Sequence, residues 1–332
     1  MSLPFLSFVV PVYNVANYVY DCLKSITDSE LSEDLYEVIV LNDGSTDQSA
    51  QVVQQFMAEQ PQAPVRYYEF PNSGVSAMRN QGISLARGQY VWFVDSDDTI
   101  EPKTVKSLVQ QVRAEKPDLL YFGFRYIYEK GYQKEPFAEE QLPFKTGRQN
   151  IEQFFGHLSL LTSVVWSSLY STQFLREQHL TFVSGLYFED VEFVCRTFSV
   201  AQTLSFSPEK RYNYFVHGSS IVRNPQFTDK RIHDRVTIGL LVLQNAQATT
   251  SVSIKQKQKE MGTECIRFGL RQAAATDKQI FYKLRHKAFS SQEARTDLFS
   301  CGGFKGGLLM RVCYLMPVCY RFLCLRILPK LQ

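Results

Sequence analysis

Three carboxylates within four residues, Asp95, Asp97 and Asp98 around Ser96, close the apolar run Tyr90-Val91-Trp92-Phe93-Val94. Two acidic side chains one residue apart beyond a strand end can project toward a common point, where a hard divalent cation and the phosphates it carries can sit among oxygen ligands. The same residues also suit a plain polar turn: Asp98 or Thr99 can cap a helix that starts near Glu101-Pro102, with Pro in its first position. A second acidic cluster, Glu189-Asp190 followed by Glu192, opens a helical pattern that runs to about Val200. Acids in a first helical turn also complement the helix dipole, which is a purely structural reason for them. His217 ends the extended run Tyr212–Val216 and is followed by Gly218-Ser219-Ser220; a lone histidine there fits a structural or solvated role equally well.

The elements that carry these residues repeat one design. A strand over Leu6–Val12 leads through Tyr13-Asn14 to a helix over about Val15–Thr27. A strand over Tyr36–Leu41 ends in Asn42-Asp43-Gly44-Ser45, and Ser45 with Gln48 forms a capping box for a helix to about Glu59. A third strand near Val65–Phe70 leads through Asn72-Ser73-Gly74 to a helix to Ala86, closed by Gly88 as its left-handed terminator. The Tyr90–Val94 run is the fourth strand. Short apolar strands alternating with helices predict an α/β fold with a doubly wound, mainly parallel sheet. In such sheets ligands lie beyond the carboxyl ends of the strands, and that is where Asn14, Asp43, Asn72 and Asp95 to Asp98 all fall. Turn chemistry explains Gly and Asn at those places but does not require Asp at two separate strand exits.

Beyond this half the pattern predicts a helix over about 102–115, an aromatic strand over 118–128, a polar loop or hairpin over 129–145 and a helix over 149–161. A strand-like run over 164–170 precedes a short helix near Gln173, and the chain is largely helical from about Thr228.

The chain has 332 residues, of which 45% are hydrophobic, 21% charged and 14% aromatic, enough for one large domain or two smaller ones. Its net charge of +3 hides an asymmetry. Residues 252–332 hold 15 Lys/Arg against 5 Asp/Glu, a net of +10, and the first 251 residues hold 21 against 28, a net of −7. A basic tail suits a polyanionic partner, nucleic acid or an anionic membrane surface. Seven cysteines without metal-ligand spacing, four of them in the last 32 residues, read as reduced small hydrophobes. Met1–Val12 lacks the basic start of a secretory signal, so the expectation is a cytoplasmic protein. The last segment, Phe304–Gln332, is apolar but interrupted by Lys305, Arg311, Arg321, Arg326 and Lys330 and bent by Pro317. It is too charged to span a bilayer, which leaves an interfacial anchor at the inner face of the membrane or a buried terminal helix.

Taken together these residues resemble glycosyltransferase family 2, whose catalytic domain has the GT-A, or nucleotide-diphospho-sugar transferase, fold. Phe8–Asn14 (FVVPVYN) is similar to the family's opening strand, Glu37–Asp47 (EVIVLNDGSTD) to its nucleotide-binding strand and turn, and Asn72–Gly82 (NSGVSAMRNQG) to the helix behind the donor. Gly88–Asp98 (GQYVWFVDSDD) resembles the D-x-D strand, and Tyr187–Arg196 (YFEDVEFVCR) the acceptor-side helix. The resemblance covers about residues 3–225 and implies a catalytic domain over 1–225, its donor half reaching about residue 117. A helical extension over 226–303 and a basic apolar segment over 304–332 follow.

The resemblance also implies roles. Pro11, Tyr13, Asn14, Asp43, Asn72, Arg79, Asp95 and Ser96 would bind the donor. Within that set Asp43 would accept the imide N–H of uracil, Asp95 would touch the ribose or the metal shell, and Arg79 would meet the diphosphate or serve as a scaffold ion pair. Asp97 would ligate Mn²⁺ or Mg²⁺, with His217 as a further metal or phosphate ligand, and Asp98 would stand behind them. Asp190 would be the general base and Glu189 an acceptor-binding neighbour. The implied function is inverting, metal-dependent transfer of a hexose from a UDP-sugar to a saccharide or polyprenyl-linked saccharide in bacterial capsule, exopolysaccharide or O-antigen synthesis. Asn42 stands where many relatives carry a first Asp, and Met78 replaces a small residue common beside Arg79-Asn80. Processive members carry a Trp-containing motif after the base, whereas the two tryptophans here, Trp92 and Trp166, precede Asp190; one sugar per encounter is expected.

Other classes fit less well. A nucleotidyltransferase needs a Gly-rich basic loop after the first strand, where this chain has Asn14-Val15-Ala16-Asn17. A dehydrogenase needs G-x-G-x-x-G there. A sugar-nucleotide-binding scaffold without transfer activity predicts loss of Asp97 or Asp190, and nucleic-acid binding rests on the basic tail alone.

Overall fold

The structure is a computed structural model that describes residues 3–128, 133–134, 144–217, 228–301 and 303–327. β1 (Leu6–Val12) and β2 (Tyr36–Asn42) are buried on both faces, as their largely apolar runs require, and are followed by α1 (Val19–Thr27) and α2 (Ser49–Glu59); the edge strand β3 (Val65–Glu69), half-buried, leads to α3 (Val75–Leu85). Then come β4 (Tyr90–Phe93), the short β5 (Thr99–Ile100), α4 (Val105–Glu115) and β6 (Leu119–Tyr128). The two-residue β7 (Gln133–Lys134), β8 (Gly147–Gln149), α5 (Ile151–His157), β9 (Ser168–Ser171), α6 (Thr172–Glu177), α7 (Glu189–Val200) and β10 (Leu204–Val216) follow.

The strands form one sheet in the order β3-β2-β1-β4-β9-β6-β10-β5, with β7 and β8 paired at its margin. β3, β2, β1 and β4 run parallel, β9 is antiparallel to β4 and β6, and β10 is parallel to β6. This is the mixed, mainly parallel sheet of a GT-A domain. Its centre is aromatic. Phe8 packs on Trp92 with ring centroids 5.4 Å apart, the Trp92 indole N–H donates to the Trp166 carbonyl (2.8 Å), and Trp166 stacks on Tyr212 at 4.3 Å.

The first four strands lie within a residue of their expected bounds, but other local expectations change: α1 starts at Val19 rather than about Val15, and the strand-like run 164–170 is a 3₁₀ turn, Val165–Ser167, before β9. α2 starts at Ser49 without the Ser45–Gln48 box. Asp47 instead accepts from the Ser49 backbone N–H (2.9 Å) and hydroxyl (2.5 Å). Gly88 is not a left-handed terminator, since α3 ends at Leu85 and Gly88 has no positive φ; a Cβ at Gly88 would lie 2.7 Å from the Ser7 backbone nitrogen, so the glycine permits close approach of two backbone segments. Pro102 opens a 3₁₀ turn, Pro102–Thr104, rather than α4 itself. Most of the 129–145 stretch lies outside the described residues, as does Gly218-Ser219-Ser220.

The chain divides into two compact units, residues 1–154, 164–185 and 200–218, and residues 155–163, 186–199 and 219–332. The second unit holds most of α7 together with α8 (Thr228–Ala248), α9 (Val252–Thr276), α10 (Lys278–Ala288), α11 (Gln292–Ser300), α12 (Gly303–Leu315) and α13 (Pro317–Phe322). Val236, Ile266, Leu270, Phe281, Leu284 and Met310 form its apolar centre. Six of the seven cysteines are buried and all are free thiols.

Candidate active site

Pro11 lies in β1 beyond the last β1–β4 pair, Val9 with Phe93. The Val9 carbonyl accepts from Val94 on the β4 side, so alternation turns residue 11 to that side too, where the ladder has ended and a missing N–H costs nothing. Tyr13 is exposed after it. Asn14 takes a left-handed φ of 54°, and its side-chain oxygen accepts from the backbone N–H groups of Thr46 (2.8 Å) and Asp47 (3.3 Å). Asn14 therefore ties the β1 exit to the β2 exit.

Asp43, at the β2 exit, is buried and its carboxylate is held by the start of α3. One oxygen accepts from the Ser73 N–H (2.7 Å) and hydroxyl (3.3 Å), the other from the Gly74 N–H (2.8 Å). The Asn72 amide donates to the Asp43 carbonyl at 3.1 Å. Gly44 is required between them: its φ is +67°, and a Cβ would sit 3.0 Å from the Asn72 nitrogen. A carboxylate offers about four acceptor directions, so a fixed Asp43 retains capacity for a further donor.

At the β4 exit the acids separate in function. Asp95 pairs with the buried Arg79 of α3 at 2.8 Å, which realises the ion-pair reading of that arginine, and Ser96 is buried beside it. Asp98 is 1% exposed and is not a helix cap. It accepts from the Tyr212 hydroxyl (2.8 Å) and the Phe215 N–H (2.8 Å) of β10, while the same hydroxyl accepts from the Asp95 N–H (3.0 Å). Burial, reinforced by the charges of Asp97 and Asp95, pushes the Asp98 carboxyl well above the usual carboxylate range. Asp97 remains half-exposed, with one carboxylate oxygen 3.1 Å from Nε2 of His217. His217 is 6% exposed and stacks on the Tyr18 ring at 4.6 Å. One carboxylate and one imidazole make a mixed oxygen and nitrogen donor set, which suits Mn²⁺ better than the oxygen-demanding Mg²⁺. Among the described residues no three His, Cys, Asp or Glu side chains converge as a complete cation cage.

Tyr212 and Tyr18 escaped sequence reasoning because aromatic residues in strand and helix runs read as core. Tyr212→Phe removes both the donor to a buried carboxylate and the acceptor for the Asp95 N–H. We expect a loss of about 1–3 kcal/mol in unfolding free energy, measured by denaturant titration; an unchanged midpoint would contradict the assignment.

Glu189 and Asp190 are the first two residues of α7, in the second unit, Glu189 buried and Asp190 partly so. Phe188 before them adopts a left-handed φ of 67°, uncommon for a bulky residue. α8 braces this turn: Asp234 accepts from the Tyr187 N–H (3.1 Å), the Lys230 ammonium lies 4.7 Å over the Tyr187 ring, and the Arg235 guanidinium lies 3.9 Å over Phe188. Glu192, one turn on, is occupied by Arg196 through two bonds of 2.8 Å and by Asn245 at 2.7 Å, which makes it a structural acid. No motif signals Asp234 and Arg235 in the sequence, because their partners, the Tyr187 N–H and the Phe188 ring, lie 47 residues away.

The curled, mainly parallel sheet with its polar carboxyl edge defines a GT-A glycosyltransferase fold, and the comparisons agree. Residues 7–167 match the model of Glycosyl transferase family 2. An uncharacterized glycosyltransferase, EpsJ, of Bacillus subtilis is 28% identical over 228 residues, 67% of this chain and 64% of its own length. The crystal structure of Staphylococcus aureus TarS residues 1–349 in complex with UDP superposes with a TM-score of 0.75 at 18% identity, covering 99% of this chain and 92% of that one. Mannosyltransferase PcManGT of Pyrobaculum calidifontis, solved with GDP-Man and Mn²⁺, gives a TM-score of 0.54 at 14% identity, over 96% of this chain and 88% of its own. Over residues 7–167 the chain is thus similar to glycosyl transferase family 2. It spans 63 to 65% of the length of the first three curated relatives it matches.

Proposed function

We propose that this chain is an inverting, metal-dependent, non-processive hexosyltransferase that moves one sugar from a UDP-sugar to a saccharide or polyprenyl-linked saccharide acceptor in bacterial surface polysaccharide synthesis. The observation that carries the reading is the 3.1 Å approach of Asp97 and His217, two cation-ligating groups 120 residues apart, at the carboxyl edge of the sheet. The UDP bound to TarS and the Mn²⁺ bound to PcManGT support the choice of donor and cation.

In this reading Asp43 accepts the uracil imide N–H through its remaining lone pairs, and Pro11, Tyr13, Asn14, Asn72 and Ser96 line the nucleotide. Arg79 orients Asp95 toward the ribose. A divalent cation on Asp97 and His217 offsets the negative charge that the nucleoside diphosphate gains on leaving. Asp190 takes the proton of the acceptor hydroxyl as its oxygen attacks the anomeric carbon opposite the leaving group, which inverts the configuration. Glu189 holds the acceptor.

Released UDP, measured over a panel of nucleotide sugars with and without Mn²⁺ and followed by acceptor screening, tests the whole reading. Sugar-nucleotide binding without turnover for any donor and acceptor would instead assign a binding protein. The bracing of the Asp190 turn adds a narrower expectation. Asp234→Ala should lower kcat by up to about a hundredfold through misplacement of the base, while KM for the donor stays unchanged. An equal change in both parameters would remove the positioning role.

A further inference from the structure

The last two helices turn apolar side chains in opposite directions. Met310, Cys313, Tyr320 and Cys324 join the apolar centre of the second unit. Leu308, Leu315, Met316, Val318, Phe322 and Leu325 face outward, with exposures of 50, 71, 56, 70, 60 and 47%. Leu308 and Leu315 stand seven residues apart on α12, Val318 and Phe322 four apart on α13, and Leu325 lies in the π-helical turn Leu323–Ile327 that follows, so each segment turns large apolar side chains outward. Large apolar side chains gathered on one exposed face mark an interaction surface.

A cavity of about 300 Å³ adjoins this ridge, lined by Arg285, His286, Phe289, Ser290, Arg295 and Tyr314. Tyr314 directly precedes the exposed Leu315 and Met316. Arg285 donates from Nε to the Cys313 carbonyl (2.8 Å) and from Nη2 to the Tyr314 carbonyl, and Arg295 donates from Nη1 to the Phe289 carbonyl (3.1 Å). These bonds fix both guanidinium groups and use only part of their five N–H donors each. Two oriented guanidiniums and an imidazole in one concave site suit a phosphate group.

The sequence that carries the ridge holds charge of one sign. After Asp297 the chain carries Lys305, Arg311, Arg321, Arg326 and Lys330 and no Asp or Glu. Among the described residues no helix is long and apolar enough to cross a membrane. A cationic apolar face that does not span lies in the plane of an anionic interface. A second copy of the chain fits poorly, because a two-fold contact through this face would set like charges against each other.

We propose that α12 and α13 form a bilayer-surface anchor, the Leu308–Leu325 ridge entering the interface while the cavity of Arg285, His286 and Arg295 takes the phosphate of an anionic lipid headgroup. The anchor is independent of the transfer reaction, since it acts without donor, acceptor or metal.

The test is co-sedimentation of the full chain with vesicles of phosphatidylcholine alone or mixed equally with phosphatidylglycerol. The wild type should bind the mixed vesicles and not the neutral ones. Leu315→Glu/Val318→Glu/Phe322→Glu should abolish binding, and Arg295→Gln should weaken it about fivefold. Circular dichroism melts of the ridge variant should match the wild type, since its altered side chains are exposed. Absence of binding by a folded wild type would overturn the proposal. So would calorimetric binding of inorganic phosphate without vesicle binding, which would make the cavity a soluble-anion site. A ridge variant that turns a dimer into a monomer and leaves vesicle binding intact would assign the ridge to a second copy.

Discussion

Asp190→Asn is expected to lower transfer by about 10²–10⁴-fold, the usual range for loss of a general base, and to leave UDP-sugar affinity intact. An amide has nearly the shape of the carboxylate and can accept a hydrogen bond, but it cannot take the acceptor proton. Asp234 and Arg235 hold the turn before α7 through Tyr187 and Phe188. Activity should therefore fall without loss of thermal stability. The measurement is single-turnover transfer alongside UDP-sugar titration calorimetry. Normal turnover would move the base elsewhere, with Glu189 the next residue to test. A fall in both affinity and stability would make Asp190 structural.

Asp97→Asn should abolish Mn²⁺-dependent binding of UDP in calorimetry, while any Mn²⁺-independent binding through Asp43 persists. The asymmetry among the three acids makes the test specific. Asp95 is engaged by the cationic Arg79 and Asp98 by Tyr212 and Phe215, whereas the partner of Asp97 is His217, an imidazole that can itself ligate a cation. His217→Asn should weaken Mn²⁺ dependence less than loss of the charged ligand does. Undiminished Mn²⁺-dependent binding by Asp97→Asn would dismiss the site. Replacement of Asp98 has a different signature: it should lower stability, because a buried pair of β10 donors then loses its acceptor.

Much of the donor half was legible in the chain itself. Parallel strands buried on both faces must be continuous apolar runs, and their exits must be polar, so Leu6–Val12, Tyr36–Asn42 and Tyr90–Phe93 announce both the sheet and the edge where ligands gather. Helix starts were less legible. Whether Ser45 or Asp47 reaches the first N–H groups of α2 depends on the path of the Asn14 loop, which Ser45, Thr46 and Asp47 all contact.

From its sequence alone this protein was determined to be a strand-and-helix chain with carboxylates at separate strand exits, an acidic pair at the head of a later helix and a basic apolar tail. Period and residue type are local properties, and these conclusions need nothing else. Tertiary structure alone decided how each of three neighbouring acids is partnered, since the partners lie 16 to 120 residues away: Arg79 for Asp95, Tyr212 for Asp98, His217 for Asp97. It also decided the fate of the tail. The Phe304–Gln332 pattern allows either a buried helix or a surface one, and packing of Met310, Cys313 and Tyr320 into the second unit leaves Leu315, Val318 and Phe322 outside. One-dimensional hydrophobicity cannot separate two apolar faces of the same helix; only a neighbouring core can.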